Sequence, residues 1–334
     1  MNNLYLNILK ATRVVYQSVF GKSHSGQGHL PHCIMDAKTA SDEIYKLLNA
    51  DSSCMIARYG AFELSTVVNY LGVAGNNFSP MDFIKGNSPD PNWNKTLFNY
   101  MQNNAGFFPA TEDNIIKFCE LMIEDTTQLD LLGSWTWNDL YMKPYFSNNF
   151  KSVHLHLLEP FWHMDRPWTR ALAGKKVLVV HPFNELIKKQ YEENRLKLFS
   201  NPELLPQFEL KTIKAVQSIG GESNGFHDWF EALHWMESEI DKCDYEVCLI
   251  GCGAYGFPLA AHCKRMGKKA VHLGGALQLL FGIKGRRWED PQYGVKEWGI
   301  EEGAYLKLMN EYWIRPGEEY RNKQTERVEN GCYW

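Results

Sequence analysis

The chain has 334 residues, 44% hydrophobic and 22% charged, with 35 Lys+Arg against 39 Asp+Glu and a formal net charge of −4. That length makes one large domain or two ordinary ones, and the apolar share supports a sizeable core and excludes a disordered chain. The slight acidity removes the global positive field that non-specific nucleic-acid binding needs.

No apolar run reaches the roughly 18–20 residues of a membrane span. The N-terminus lacks a signal-peptide pattern, so the mature chain is expected to begin at Met1 and to be cytoplasmic. Eight cysteines without a C-x-x-C pair are expected as reduced, buried thiols. The first predicted element is residues 4–20, where Leu4, Ile8, Val15 and Val19 fall at helical spacing and predict an amphipathic helix outside the main fold. That helix either packs on its own domain or makes a peripheral contact with a partner or the inner face of a membrane. Residues 21–33, GKSHSGQGHLPHC, read as a loop or linker. Residues 1–36 are thus an extension to a single domain of residues 37–334 that ends in a tail. His29, His32 and Cys33 have no second cluster at matching spacing, so no metal site is expected of them.

From residue 37 helix-like and strand-like segments alternate. Helices are predicted near 38–49, 61–72, 92–104, 111–125, 183–199, 225–241 and 254–267. The strands are CMIAR (54–58), LDLLG (129–133), SVHLHL (152–157), KVLVVH (176–181), FELKTI (208–213), EVCLIG (246–251) and KAVHL (269–273). Several of these runs are apolar throughout, as strands covered on both faces by helices must be. Strand followed by helix, repeated, predicts a Rossmann-like α/β fold: a parallel sheet with helices on both faces.

Ligands of such sheets bind outside the carboxyl ends of the strands, and this chain places its chemistry there. The first strand delivers Arg58, Tyr59 and Gly60, then Glu63 in the next helix's first turn. The second delivers Trp135, and the fourth delivers His181 and Glu185. The sixth opens a G-x-G-x-x-G turn of Gly251, Gly253 and Gly256, with Tyr255 inside it. Glycines there let a backbone approach a phosphate at a helix N-terminus, or merely allow tight helix-on-strand packing. The seventh ends in His272, Gly274 and Gly275, followed by Gln278 and the cations Lys284, Arg286 and Arg287. Those cations either neutralise a diphosphate or form a solvated surface. No acid follows this strand to hold a ribose diol, which weakens a nicotinamide-dinucleotide reading. Asp228 and Glu231 share a helical face read as solvated surface. A further helix is expected in residues 300–334, before a Gly, Arg and aromatic tail that either folds over the cleft or binds a neighbour.

RYGAFEL (58–64) resembles the R-[FY]-G-D-G-E signature of the GT-D-fold bacterial glycosyltransferases, and the late segment with its HLGG ending is similar to the closing part of that fold. The likeness spans about residues 40–290. It implies a GT-D-like fold, a nucleotide-sugar donor, and transfer of a sugar to a glycan or lipid-linked acceptor hydroxyl in surface-polysaccharide or glycoconjugate biosynthesis. It also implies an Asp-x-Glu pair serving a divalent metal, Mn²⁺ or Mg²⁺. Glu63 matches the Glu, but Ala61 stands at the Asp position, so weak or absent metal dependence is expected. Glu63, Glu185 and His181 are the candidate catalytic groups. The alternatives are a Rossmann oxidoreductase and a non-catalytic sugar-nucleotide binder.

Overall fold

The computed structural model describes residues 3–20, 26–75, 77–321 and 331–334. Residues 21–25 of the predicted loop and 322–330 of the predicted tail lie outside them.

All seven predicted strands form: β1 (Cys54–Ala57), β2 (Leu131–Ser134), β3 (Lys151–His154), β4 (Lys176–His181), β5 (Glu209–Lys214), β6 (Val247–Ile250) and β7 (Lys269–His272). They make one sheet in the order β3-β2-β1-β7-β6-β4-β5, and every neighbouring pair is parallel. Side chains alternate between two cores, as strand geometry requires. Met55, Ala57, Leu178, Val180, Cys248 and Ile250 enter one core, and Cys54, Ile56, Val177, Val179, Val247 and Leu249 the other. Residues of β1, β2 and β6 are therefore buried without a break, whereas β5, at the edge, is half-exposed. The predicted third strand stops at His154, where the chain turns into short 3₁₀ helices.

Twelve α-helical segments are described, the first being α1 (Asn3–Phe20). On one side of the sheet lie α3 (Ala61–Ala74), α6 (Glu112–Thr126), α8 (Trp229–Asp241) and α9 (Gly256–Arg265). On the other lie α2 (Ala37–Asn49), α7 (Asn184–Asn194) and the carboxyl-terminal segment with Trp288, Trp313 and Trp334. The shorter helices are α4 (Pro80–Lys85), α5 (Lys95–Asn103), α10 (Leu277–Leu280), α11 (Arg286–Glu289) and α12 (Val295–Trp298). Among the described residues after 300 there are only 3₁₀ turns, in place of the expected helix. Asp228 is the N-cap of α8, accepting the Glu231 N–H at 2.8 Å, and Glu231 is exposed, so the pair read as surface also starts a helix.

In the N-terminal region the expected helix forms and the described part of the expected loop is non-helical, and the structure adds two features. Helix α1 forms, but the face that packs on α4 carries Leu6 and Leu9, gathered around Phe83. Leu4, Ile8, Val15 and Val19, the stripe that predicted the helix, are all more than half exposed. Residues 26–34 are not a free linker: Gly28 N–H donates to Trp135 O at 3.0 Å, Leu30 N–H to Ser134 Oγ at 2.9 Å, and Ile34 pairs with Val153. No described helix is long and apolar enough to cross a membrane.

The chain leaves β4 towards β5 and leaves the adjacent β6 in the opposite direction, towards β7. Connections diverging from neighbouring strands open a crevice at their carboxyl ends.

Candidate functional site

A cavity of about 510 Å³ occupies this crevice and extends across the ends of β7, β1 and β2. Most residues singled out in the sequence line it: Arg58, Gly60, Glu63, Trp135, His181, Gly251, Gly253, Tyr255, His272, Gly274, Gly275, Gln278 and Arg287. They arrive from five strand ends because a parallel sheet puts all those ends on one edge.

Glu63 sits in the first turn of α3, whose N-cap, Gly60, has no side chain to offer. The carboxylate folds back instead, taking the Phe62 and Glu63 N–H groups, which favours the charged form. This is possible because residue 60 is glycine: a Cβ there would lie 2.0 Å from Glu63 Oε2. Burial dominates, however, and lifts the Glu63 pKa above its usual range, with the positive charge of Arg58 opposing that rise. The Arg58 guanidinium lies over the Trp135 ring, 5.4 Å from its centroid.

Trp135 is held in place by a buried acid. Asp139 accepts the Ser134 hydroxyl at 2.7 Å and the Trp135 N–H at 3.2 Å. Burial pushes its pKa up to about 6 despite those bonds and Arg58. The Trp135 indole N–H donates to Tyr59 O at 3.2 Å.

His181 and His272 are both neutral, burial having driven each down to about 3, and their rings differ in tautomer. The Phe183 N–H donates to His181 Nδ1 at 3.0 Å, which puts the ring hydrogen on Nε2 and makes His181 a donor rather than a base. In His272, Nδ1 meets the Ile250 carbonyl at 3.3 Å. A carbonyl only accepts, so Nδ1 carries the hydrogen and Nε2 the lone pair.

Five residues named from the sequence lie outside the cavity lining. Tyr59 is buried in the core, its ring against Phe257 at 4.6 Å and its hydroxyl 2.7 Å from Thr126 Oγ1. Glu185 is exposed on α7 and accepts from Asn184 at 2.9 Å. Gly256 serves packing, since a Cβ there would lie 2.1 Å from the His272 ring. Lys284 and Arg286 also point elsewhere, so of the three predicted cations only Arg287 reaches the cavity. Tyr255 lines it, although its ring stacks on Trp229 at 4.8 Å and its hydroxyl meets Ser218 Oγ at 2.7 Å.

Other lining residues were not singled out. Gln27 comes from the segment read as linker, Tyr293 and Trp298 from α12 and its approach, and Tyr333 and Trp334 from the tail. The aromatic run at the tail was the available signal, and the structure chooses folding over the cleft. Gln278, fully buried, donates to Lys284 O at 2.9 Å and Tyr333 O at 3.1 Å, while its Oε1 has no partner.

Among the described residues no three His, Cys, Asp or Glu side chains converge as a metal site, those of residues 29, 32 and 33 included. Comparison with protein-family models, curated proteins and solved structures finds no match to this chain.

Proposed function

We propose that the protein is a glycosyltransferase that moves a sugar from a nucleoside-diphosphate donor to an acceptor hydroxyl. The observation that carries this reading is the pairing, in one cavity at the carboxyl edge of the sheet, of two guanidinium groups with one buried carboxylate. Arg58 and Arg287 supply charge for a diphosphate. The His181 Nε2–H and the glycine turns after β6 and β7 supply further donors and room for close approach. Trp135 and Tyr293 offer ring faces to a base or sugar. In transfer, the acceptor oxygen bonds to the anomeric carbon, the carbon–oxygen bond to the diphosphate breaks, and the acceptor proton passes to Glu63. A carboxylate with a raised pKa is the stronger base for that step.

The residues do not fit a divalent ion held by protein in the manner of the family that RYGAFEL resembles. Ala61 faces the cavity where that family has Asp; of the two carboxylates in the lining, Glu63 is taken up by its own helix start and Glu297 is exposed on α12, and among the described residues no three ligand-type side chains converge for Mg²⁺ or Mn²⁺. Leaving-group charge therefore falls to Arg58, Arg287 and backbone N–H groups.

Thermal stabilisation across UDP, GDP, CDP and TDP sugars, with NAD(P) as control and with either Mn²⁺ or EDTA, tests the proposal. Stabilisation by one sugar nucleotide that persists in EDTA is the expected result, and stabilisation by NAD(P) alone overturns it. A second reading, a sugar-nucleotide binder without turnover, is favoured by the engagement of Glu63 with its own helix. Tight binding with no sugar transfer to any acceptor would support that reading instead.

A further inference from the structure

Residues 331–334 cross the crevice from the end of β7 to the end of β4. The Tyr333 ring lies against Gly275 after β7, and the Trp334 ring meets Phe183 after β4 edge to face at 5.5 Å. The segment is fastened by several hydrogen bonds. Arg286 N–H donates to Trp334 O at 3.2 Å, Arg287 N–H to Cys332 O at 3.1 Å, and the Trp334 indole to Tyr320 O at 3.1 Å. Arg287 is gripped most closely. Its guanidinium lies 5.0 Å from the Tyr333 ring centre and 5.7 Å from that of Tyr293, and Nη2 donates to Cys332 Sγ at 3.2 Å. A long cationic side chain loses much rotamer freedom when it binds an anion, and prior clamping removes that cost.

We propose that Tyr333 is a positioning residue that holds Arg287 in place to bind a diphosphate, and that residue 275 is glycine to admit the Tyr333 ring. A Cβ on residue 275 would fall 2.0 Å from Tyr333 Cε1. The Gly275 backbone is not in the left-handed region, so Gly275→Ala introduces no backbone strain of that kind and acts by displacing the ring. The inference rests on the cavity being a diphosphate site but not on the identity of any sugar or base.

The test is calorimetric titration of the full-length protein with inorganic pyrophosphate, the ligand-free melting temperature of each variant serving as a control for folding. Tyr333→Phe keeps the ring face and should bind as the wild type does. Tyr333→Leu fills much of the same space without the ring face and should weaken binding about tenfold. Gly275→Ala should weaken it to a similar extent, and adding Gly275→Ala to Tyr333→Leu should have little further effect, because both act through one ring. Wild-type affinity in both Tyr333→Leu and Gly275→Ala overturns the inference, as does a wild-type protein that binds no pyrophosphate at millimolar concentration. Pyrophosphate binding that depends on Tyr333 in a protein that binds no nucleotide sugar would uphold the inference and sink the donor proposal. The reverse pattern, sugar nucleotides bound equally by wild type and Tyr333→Leu, would sink the inference alone.

Discussion

The Glu63 carboxylate is held by the first turn of its own helix and faces the cavity, and burial outweighs the other influences on its protonation. Its pKa is raised, so the neutral acid persists to higher pH than for an ordinary Glu, near 4.3. If Glu63 is the base, kcat/KM must rise with pH through that raised value, placing the acidic limb of the profile above the usual carboxylate range. Glu63→Gln should remove the limb and lower turnover by about 100-fold or more, with nucleotide-sugar affinity largely kept; an unchanged profile in the variant would remove Glu63 from the reaction. Gly256 can be tested by stability alone. Its added methyl would meet the buried His272 ring at 2.1 Å, which has little room to move. Gly256→Ala should therefore cost about 1–3 kcal/mol, read as a lower denaturation midpoint.

Helix α1 has apolar residues on two faces, and only one of them is buried. Leu9 is 6% exposed and packs in the cluster around Phe83, whereas Val15 is 61% exposed. Leu9→Ala should loosen α1 by roughly 2 kcal/mol, while Val15→Ser should change stability by no more than about 0.5 kcal/mol. Amide hydrogen exchange within α1 separates the two, since the helix can open without the sheet. Equal protection in both variants would mean that the packing face is misassigned. Periodicity showed that residues 4–20 form a helix but left its docked side open, because apolar residues at helical spacing mark a face without saying whether anything covers it.

Across the molecule, buried acids and buried histidines act in opposite senses on the pH dependence of stability. Burial pushes Asp125 and Glu159 up to about 7 and Asp139 to about 6. It pushes His154 and His156 down to about 4, and His181 and His272 to about 3. A raised acid contributes stability that is fully present below its unfolded pKa and is lost as pH climbs through its folded value. A lowered histidine contributes stability that is present above its unfolded pKa and is lost as pH falls through the folded value. Between roughly pH 4.5 and 6.5 the two sets oppose each other and flatten the profile. Glu159 offers a clean test, because Oε2 accepts from Tyr305 at 2.8 Å and Trp162 at 3.2 Å, and Gln retains an acceptor oxygen. Relative to wild type, Glu159→Gln should gain stability as pH rises from 4.5 to about 7, by an amount on the order of 3 kcal/mol. Parallel urea midpoints for the two proteins across that range would contradict the assignment.

The sequence by itself determined the seven strands and the longer helices between them, but not the segment after residue 300, where the described residues form 3₁₀ turns. Seven strand-like runs became seven strands, the central ones apolar throughout because a chain covered on both faces has few polar positions to spare. Their parallel pairing followed from the intervening helices, and so did the edge at which Arg58, Glu63, Trp135, His181 and Arg287 meet. Only the tertiary structure decided which strands are neighbours, because β6 and β7 insert between β4 and β1 through contacts far apart in the chain. It also decided which of several residues at one strand end face the cavity: Tyr59 turns into the core beside Arg58, and Glu185 turns to solvent four residues after His181. That choice depends on the rotation of each helix start against its sheet, which no spacing in the sequence records. The recruitment of Tyr333 and Trp334 to the cavity lining is the extreme case. Side chains so distant in sequence are brought together by the burial of apolar surface, which is proportional to area and indifferent to the length of chain between.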